Sequence, residues 1–333
     1  MTQIPFPTGS VRSLTLATGS VRLKTERAHT FEALAVARKD GLRISDYRLE
    51  RDRIIILSDV HKGDHRSRVD DFVHNEALYC KVLDYYLNRE YRLILNGDIE
   101  EGWKANYSQI IAAYEDTAFA LERAFAQQGR YYRIYGNHDQ DWADPRCVDR
   151  HLKPVFNMPL HVYPAVFLGP HIMIAHGHQG DPNSDRRAWL SRRVVRYVWR
   201  PFQRASGLSN RRTSDPTPHL RNREDHLSSW ARTNHLLLIA GHTHRALFRP
   251  KLLSDPHTAI HAQSAPVRSD SITHYLNEGC CVHADGITGI EIDRGEVRLI
   301  QWARDHGREH QPSPLTERRI MRSGDLGAIL AQL

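Results

Sequence analysis

Five short apolar runs mark the chain, and each stops abruptly at polar residues. Arg53-Ile-Ile-Ile-Leu57 runs into Ser-Asp-Val-His, and Arg92-Leu-Ile-Leu95 runs into Asn-Gly-Asp. Tyr131-Tyr-Arg-Ile-Tyr135 meets Gly-Asn-His-Asp, His171-Ile-Met-Ile-Ala175 meets His-Gly-His, and Leu236-Leu-Leu-Ile-Ala240 meets Gly-His-Thr-His. Short, continuous apolar runs of this kind predict strands buried on both faces. Helix-like stretches at 70–89 and 108–128 separate the first three, giving a β-α-β-α-β order and an α/β fold class. Segments 273–282, 287–293 and 296–302, joined at Asp-Gly and Arg-Gly turns, predict a terminal antiparallel meander.

Each of the five apolar-run strands ends in a cluster of Asp, Asn or His. In open α/β sheets ligands bind outside the carboxyl ends of strands, so these separate clusters can converge on one site. Along the chain they supply Asp59, His61, Asp98, Asn137, His138, Asp139, His176, His242 and His244. Imidazole and carboxylate donors without thiolate suit Mn, Fe, Zn or Co. Seven candidate ligands (Asp59, His61, Asp98, Asn137, His176, His242 and His244) exceed the needs of one tetrahedral ion. Two ions sharing a carboxylate fit better, an arrangement that clamps the attacking and leaving oxygens of a phosphoryl displacement.

At these residues the chain resembles the calcineurin-like metallophosphoesterase superfamily. Five blocks appear in that family's order: Asp59-Val-His61, Gly97-Asp98, Gly136-Asn137-His138-Asp139, His176 before a glycine, and Gly241-His242-Thr-His244. The resemblance implies a four-layer αββα sandwich of two mixed sheets. It assigns Asp59, His61 and His244 to one ion, Asn137, His176 and His242 to the second, and Asp98 to both. It also implies two divalent ions, manganese foremost, and hydrolysis of a phosphoester or pyrophosphate bond by a hydroxide activated between them. His138 would sit over the phosphate, stabilising developing charge or protonating the leaving oxygen, with Asp139 orienting it through the other ring nitrogen.

The remaining histidines carry less weight. His65, His74, His151, His161 and His171 read as ordinary loop residues, and His178 as a neighbour of the ligand His176. Asp64 and Glu100 stand near ligands as outer acceptors or solvated carboxylates. Cys280 and Cys281, adjacent in sequence, read as buried strand residues.

Charge adds a location. The 333-residue chain has a net charge of +7, but the segment 182–234 holds twelve arginines, no lysine and four acids. The rest of the chain is nearly neutral, so an anionic partner is expected at one place. Leu190, Val194, Tyr197 and Val198 recur there at helical spacing, with Arg193, Arg196 and Arg200 on another face and Trp189, Trp199 and Phe202 nearby. This reads as a helical cap over the site that binds an anionic substrate or an anionic membrane surface. An equally weighted alternative is a packed insertion with a solvated Arg face.

An Arg-rich insertion between His-Gly and Gly-His-Thr-His-Arg is similar to UDP-2,3-diacylglucosamine hydrolases, which cleave a pyrophosphate in a membrane-associated glycolipid nucleotide. Those enzymes carry Gly-Asn-Arg-Asp where this chain has Gly-Asn-His-Asp, and they lack its 50-residue leader. A nuclease would need a longer basic track, so nucleic acid is not the expected partner. A non-catalytic scaffold would have lost ligands. The expected substrate is a phosphorylated small molecule or a lipid-linked one.

No run of ~18 apolar residues exists, and the N-terminal residues lack a basic start followed by an apolar run. Four cysteines without a C-x-x-C pair favour a reducing compartment, so the expected location is cytoplasmic, peripheral at the membrane. The expected organisation is an extension at 1–50, the catalytic domain at 51–304 with the insertion 182–234, and a tail at 305–333.

Overall fold

A computed structural model describes residues 11–66, 70–181, 218–248, 273–303 and 317–333, with side chains of the first helix described from residue 23. In chain order the first elements are α1 (Val11–Asp40), β1 (Leu42–Ile44), β2 (Arg53–Leu57), α2 (Glu76–Leu87) and β3 (Arg92–Asn96). Next come α3 (Tyr107–Tyr114), α4 (Ala118–Gln127), β4 (Tyr131–Ile134), α5 (Pro145–Phe156), β5 (Val166–Leu168) and β6 (Ile172–Ile174). The last are α6 (Pro218–Thr233), β7 (Leu237–Ala240), β8 (Ala246–Leu247), β9 (Tyr275–Glu278), β10 (Gly286–Asp293), β11 (Glu296–Ala303), β12 (Glu317–Asp325) and α7 (Leu326–Leu330).

The expected β-α-β-α-β unit is present: β2, β3 and β4 pair in parallel, with Ile54 opposite Arg92 and Leu93 opposite Tyr131. The stretch 108–128 is two helices rather than one. It breaks at Glu115-Asp116-Thr117, where Thr117 leaves helical geometry and its hydroxyl donates to Glu76 at 2.6 Å. Asp and Thr are weak helix formers, and this bond to a residue of α2 holds Thr117 where the helix would otherwise continue.

Two six-stranded sheets result, ordered β1-β5-β6-β7-β9-β8 and β12-β11-β10-β2-β3-β4. Both mix parallel and antiparallel pairs. Alternation along each strand divides the core. Ile54, Ile56, Ile94 and Ile134 of one sheet meet Val166, Ile174, Leu237 and Ile239 of the other in a shared interior. Ile55, Leu57, Leu93 and Leu95 face the opposite way, onto α2, α4 and α5. Phe167, Met173 and Leu238 face outward onto Leu34 of α1 and Leu227 and Trp230 of α6. The molecule is therefore an αββα sandwich, and strands covered on both sides read as unbroken apolar runs because neither face meets water.

The terminal strands differ from the expected single meander. β9 joins the first sheet parallel to β7, while β10, β11 and β12 form an antiparallel run in the second. The β10–β11 hairpin turns on Arg294 and Gly295, at φ 51° and 89°, the left-handed pair that matches strand twist. Cys280 and Cys281 are buried in the loop after β9, not in a strand. Within 1–50, β1 pairs in parallel with β5, and Leu34 of α1 is fully buried. Within 305–333, β12 pairs with β11 over residues 317–325. The expected helical cap residues at 182–217, including Arg193, Arg196 and Arg200, lie outside the described residues. Among the described residues, no helix is long and apolar enough to cross a membrane.

Candidate metal centre

The loops leaving β2, β3, β4, β6 and β7 meet at one edge of the sandwich. Ten non-glycine residues among those described have positive φ, and five of them are candidate ligands: Asp59 at 51°, His61 at 50°, Asp98 at 53°, His242 at 65° and His244 at 57°. A left-handed conformation costs an L-residue on the order of 1 kcal/mol. Hydrogen bonds between the loops hold it in place. The backbone N–H of Asp59 donates to Gly97 O at 3.1 Å, and that of His61 to Asp98 O at 2.9 Å. Space is equally restrictive, since a Cβ on Gly136 would lie 2.1 Å from Asp98 Oδ1.

These loops gather the carboxylates and imidazoles into groups with mutually close donor atoms: Asp59 with His61 and His244, Asp98 with His176 and His242, and His61 with Asp98 and His138. Each carboxylate uses one oxygen for the protein and turns the other inward. Asp59 Oδ2 accepts from the Ser58 hydroxyl at 2.6 Å and from the His242 N–H at 3.0 Å. Its Oδ1 lies 3.1 Å from His244 Nε2 and 3.8 Å from His61 Nε2. Asp98 Oδ1 accepts from the His138 N–H at 2.8 Å. Its Oδ2 lies 3.2 Å from His176 Nε2, 3.9 Å from His61 Nε2 and 4.0 Å from His138 Nε2.

This donor set fits divalent cations. His176 Nδ1 donates to Asn96 O at 2.7 Å, which leaves the Nε2 lone pair facing Asp98. A lone pair and a carboxylate oxygen so close repel unless a cation or proton lies between them. Asp59 Oδ1, Asn137 Oδ1 and His176 Nε2 are all buried without a hydrogen-bond partner, as inward-facing ligand atoms would be.

Charge tuning follows the same geometry. Burial disfavours ionised Asp59 and Asp98, yet the surrounding imidazoles hold both well below the usual carboxylate range. Burial likewise opposes charge on His61, but hydrogen bonds to Asp59 and Glu101 and the field of Asp98 push it up to about 10. His176 rises to about 9 against burial, through Asp98 and Asp59. His242 moves down, chiefly through burial, and so suits a neutral ligand.

The expected partner of His138 is corrected. Glu101, not Asp139, meets His138 Nδ1, with Oε1 at 2.8 Å. Asp139 points inward and accepts from the backbone N–H groups of Gly136 at 2.6 Å, Ile99 at 2.8 Å and Asp98 at 3.3 Å. Burial and the charge of Asp98 push it up to about 6. Its role is to tie the β3 and β4 loops together. Glu100 and Glu101 part because the backbone is extended there, with Glu100 bridged to Lys62, so adjacent side chains face opposite ways. Glu101 Oε2 also lies 3.3 Å from His61 Nδ1 and 3.4 Å from Lys104 Nζ.

Beneath the loops, Glu100 enters a fully buried network. Lys62 Nζ lies 2.7 Å from Glu122 and 3.2 Å from Glu100, and Arg133 pairs with Glu100. Trp142 Nε1 donates to Glu100 at 2.9 Å, and the Tyr79 hydroxyl donates to Glu122 at 3.1 Å. Glu100 stood out in the sequence as a carboxylate near the ligands, but its buried partners were not identified from sequence, nor were Glu101, Trp103 and Asp181, which lies 3.3 Å from His242 Nε2. Position offered a signal only for Glu101, three residues beyond Asp98 in the same block. His178 is buried, with its ring centre 5.5 Å from His176 and 6.4 Å from His242. Asp64 faces Arg66 at 3.6 Å, and His65 faces Glu76 at 3.2 Å. Neither joins the ligand groups.

A cavity of about 330 Å³ opens over the cluster; its lining includes His61, Glu101, His138, His242 and His244, the charged Asp71 and Lys104, and the apolar Leu220, Cys280 and Val282. An αββα sandwich with clustered carboxylates and imidazoles across its strand ends defines a metal-dependent phosphoesterase. Residues 52–246 match the calcineurin-like phosphoesterase family, and the chain belongs to it. Among solved structures it is similar to a protein serine/threonine phosphatase from Saccharomyces cerevisiae, described as similar to human phosphatase PP5. That likeness is 12% identity over 82% of this chain and 83% of that chain, at a TM-score of 0.31. No curated protein matches the chain.

Proposed function

We propose that this hydrolase cleaves a phosphoester or pyrophosphate bond at a centre of two divalent ions. Asp98 carries the reading: its Oδ2 faces both His176 Nε2 at 3.2 Å and His61 Nε2 at 3.9 Å, so one oxygen serves both ligand groups. Asp59, His61 and His244 would hold the first ion, and Asn137, His176 and His242 the second. Manganese suits this oxygen-and-imidazole set, with Fe, Zn or Co as the other fits. Bound divalent ions lower the pKa of water toward ~7 and neutralise charge on the phosphoryl oxygens.

The chain's own groups do the rest. As an imidazolium, His138 would donate Nδ1–H to Glu101 and hold Nε2–H toward the cluster; that Nε2 proton would pass to the leaving oxygen as the P–O bond breaks, leaving a neutral imidazole with its remaining proton on Nδ1. The cavity volume, with Leu220, Cys280 and Val282 among its lining residues, supports an ester with a sizeable substituent. The Arg-rich segment 182–234, anchored between His176 and His242, supports recognition of an anionic substrate or an anionic membrane surface from the cytoplasmic side. The narrower reading, a lipid-linked nucleotide pyrophosphatase, rests on the position of that segment.

The test is hydrolysis of bis-p-nitrophenyl phosphate and p-nitrophenyl phosphate with added Mn, beside metal analysis of wild type and Asp98→Asn. Hydrolysis of either ester, and loss of metal in the variant, are expected. If neither ester is cleaved and metal content is unchanged, the two-metal reading fails.

A further inference from the structure

His138 is held by one side-chain hydrogen bond, from Nδ1 to Glu101, and by two ring contacts. The indole of Trp103 stacks on its ring with centres 4.1 Å apart and planes 18° from parallel. The same indole Nε1–H donates to the backbone carbonyl of Asn137 at 2.9 Å. On another side, the His61 ring meets His138 edge-on at 4.7 Å. Glu101 and Trp103 come from one short loop, and Gly102 between them allows it to close. A Cβ on Gly102 would lie 2.6 Å from His138 O and 2.7 Å from the Tyr107 hydroxyl.

We infer that Trp103 is a positioning residue of the leaving-group step, fixing the ring plane of His138 so that Nε2 faces the departing oxygen. This rests on the reading of His138 as the acid. A single hydrogen bond at Nδ1 restrains the soft Cβ–Cγ torsion of an imidazole only within the bond's own angular tolerance. A flat ring stacked at van der Waals distance removes that freedom, and it attracts the ring most strongly when the ring carries the proton to be donated. Misplacing a reacting group by as little as 1 Å costs on the order of 10²-fold in rate.

The experiment compares kcat and kcat/KM for phosphate esters whose leaving groups run from p-nitrophenol to simple alkanols. Wild type, His138→Ala, Trp103→Leu and Trp103→Phe are measured with Mn, each with its metal content determined. An acid matters most where the leaving group is poor, so loss of His138 should steepen the dependence on leaving-group pKa. Trp103→Leu should steepen it in the same sense, losing about 10-fold more kcat on alkyl than on p-nitrophenyl esters, a fraction of a full acid contribution of ~10²–10⁴. Its metal content should match wild type. Trp103→Phe keeps a ring and should return the slope toward wild type.

Equal loss across all leaving groups, or loss of metal, would overturn the inference and leave Trp103 as mere support for Asn137. A slope in Trp103→Phe as steep as in Trp103→Leu would overturn the stacking argument. An unchanged slope in His138→Ala would instead remove the acid itself, and the role of Trp103 with it.

Discussion

Replacing Glu278 with Gln should stabilise the protein above neutral pH and flatten its stability profile. Glu278 ends β9 with its side chain fully buried. Its Oε1 accepts from Asn96 Nδ2 at 2.6 Å, and its Oε2 has no partner. Burial, reinforced by the charge of Asp59, pushes this carboxyl up to about 8 against the opposing pull of the Asn96 hydrogen bond. The ordinary value of a glutamate is 4.5.

Because the folded pKa lies above the unfolded one, the native state binds the proton more tightly. That contribution is fully present below about 4.5 and is lost as pH rises through about 8. A pKa gap of roughly 3.5 corresponds to an upper limit of roughly 5 kcal/mol at 1.36 kcal/mol per pKa unit. Gln retains the oxygen that meets Asn96 and cannot ionise. Urea unfolding of chelator-treated protein from pH 5 to 9 gives the measurement. Wild type should fall relative to Glu278→Gln by more than about 1 kcal/mol across that window. Parallel curves would mean that Glu278 is ionised in the fold throughout, refuting the burial argument.

The buried network predicts a compensated cycle. Lys62→Met, which leaves Glu100 and Glu122 with one cation fewer, should cost about 3–5 kcal/mol in thermal or urea unfolding, and the pair Lys62→Met/Glu122→Gln distinctly less. Leu34→Ala should cost about 2–5 kcal/mol, because Leu34 is fully buried against Phe167 and Met173; a change near zero would detach α1 from the fold. Replacing Arg193, Arg196 and Arg200 together with Ala should weaken binding to anionic vesicles and lower turnover of bulky anionic esters more than of p-nitrophenyl phosphate. Equal loss on both would assign the segment a structural role.

The sequence carried the strand ends well because the same fact produces both signals. A strand buried on both faces must be apolar, so its polar terminus is conspicuous, and in this fold the termini are the site. Asp59, His61, Asp98, His176, His242 and His244 were legible for that reason, and the structure brings them together. Support for them was not legible. Glu100 and Glu101 are identical in type and adjacent, and only the extended backbone of their loop decides that one enters a buried ion network and the other faces His138. Asp139 has the right spacing to orient its neighbour, but three backbone N–H groups claim its side chain. Segments with sparse periodicity, such as residues 23–40 of α1 and β12, gave no pattern because each buries only part of its surface.

Charge shows the same limit of composition. Arg223 belongs to the basic segment by count, yet it is buried and donates to Gly177 O at 2.7 and 2.9 Å and to the Thr30 hydroxyl at 2.7 Å. Arg133 is buried against Glu100. Neither can meet a substrate. Both instead brace loops that carry candidate ligands, His176 next to Gly177 and Asp98 two residues before Glu100. Five candidate ligand residues sit in a left-handed conformation, at about 1 kcal/mol each, while their carboxylates and imidazoles crowd one point. A conformation so disfavoured locally persists only where its surroundings over-determine it. Those surroundings are the buried cations, the inward carboxylate of Asp139 and the glycines that let loops touch. The arrangement that makes the cluster fit for divalent ions is thus imposed by residues that never reach it.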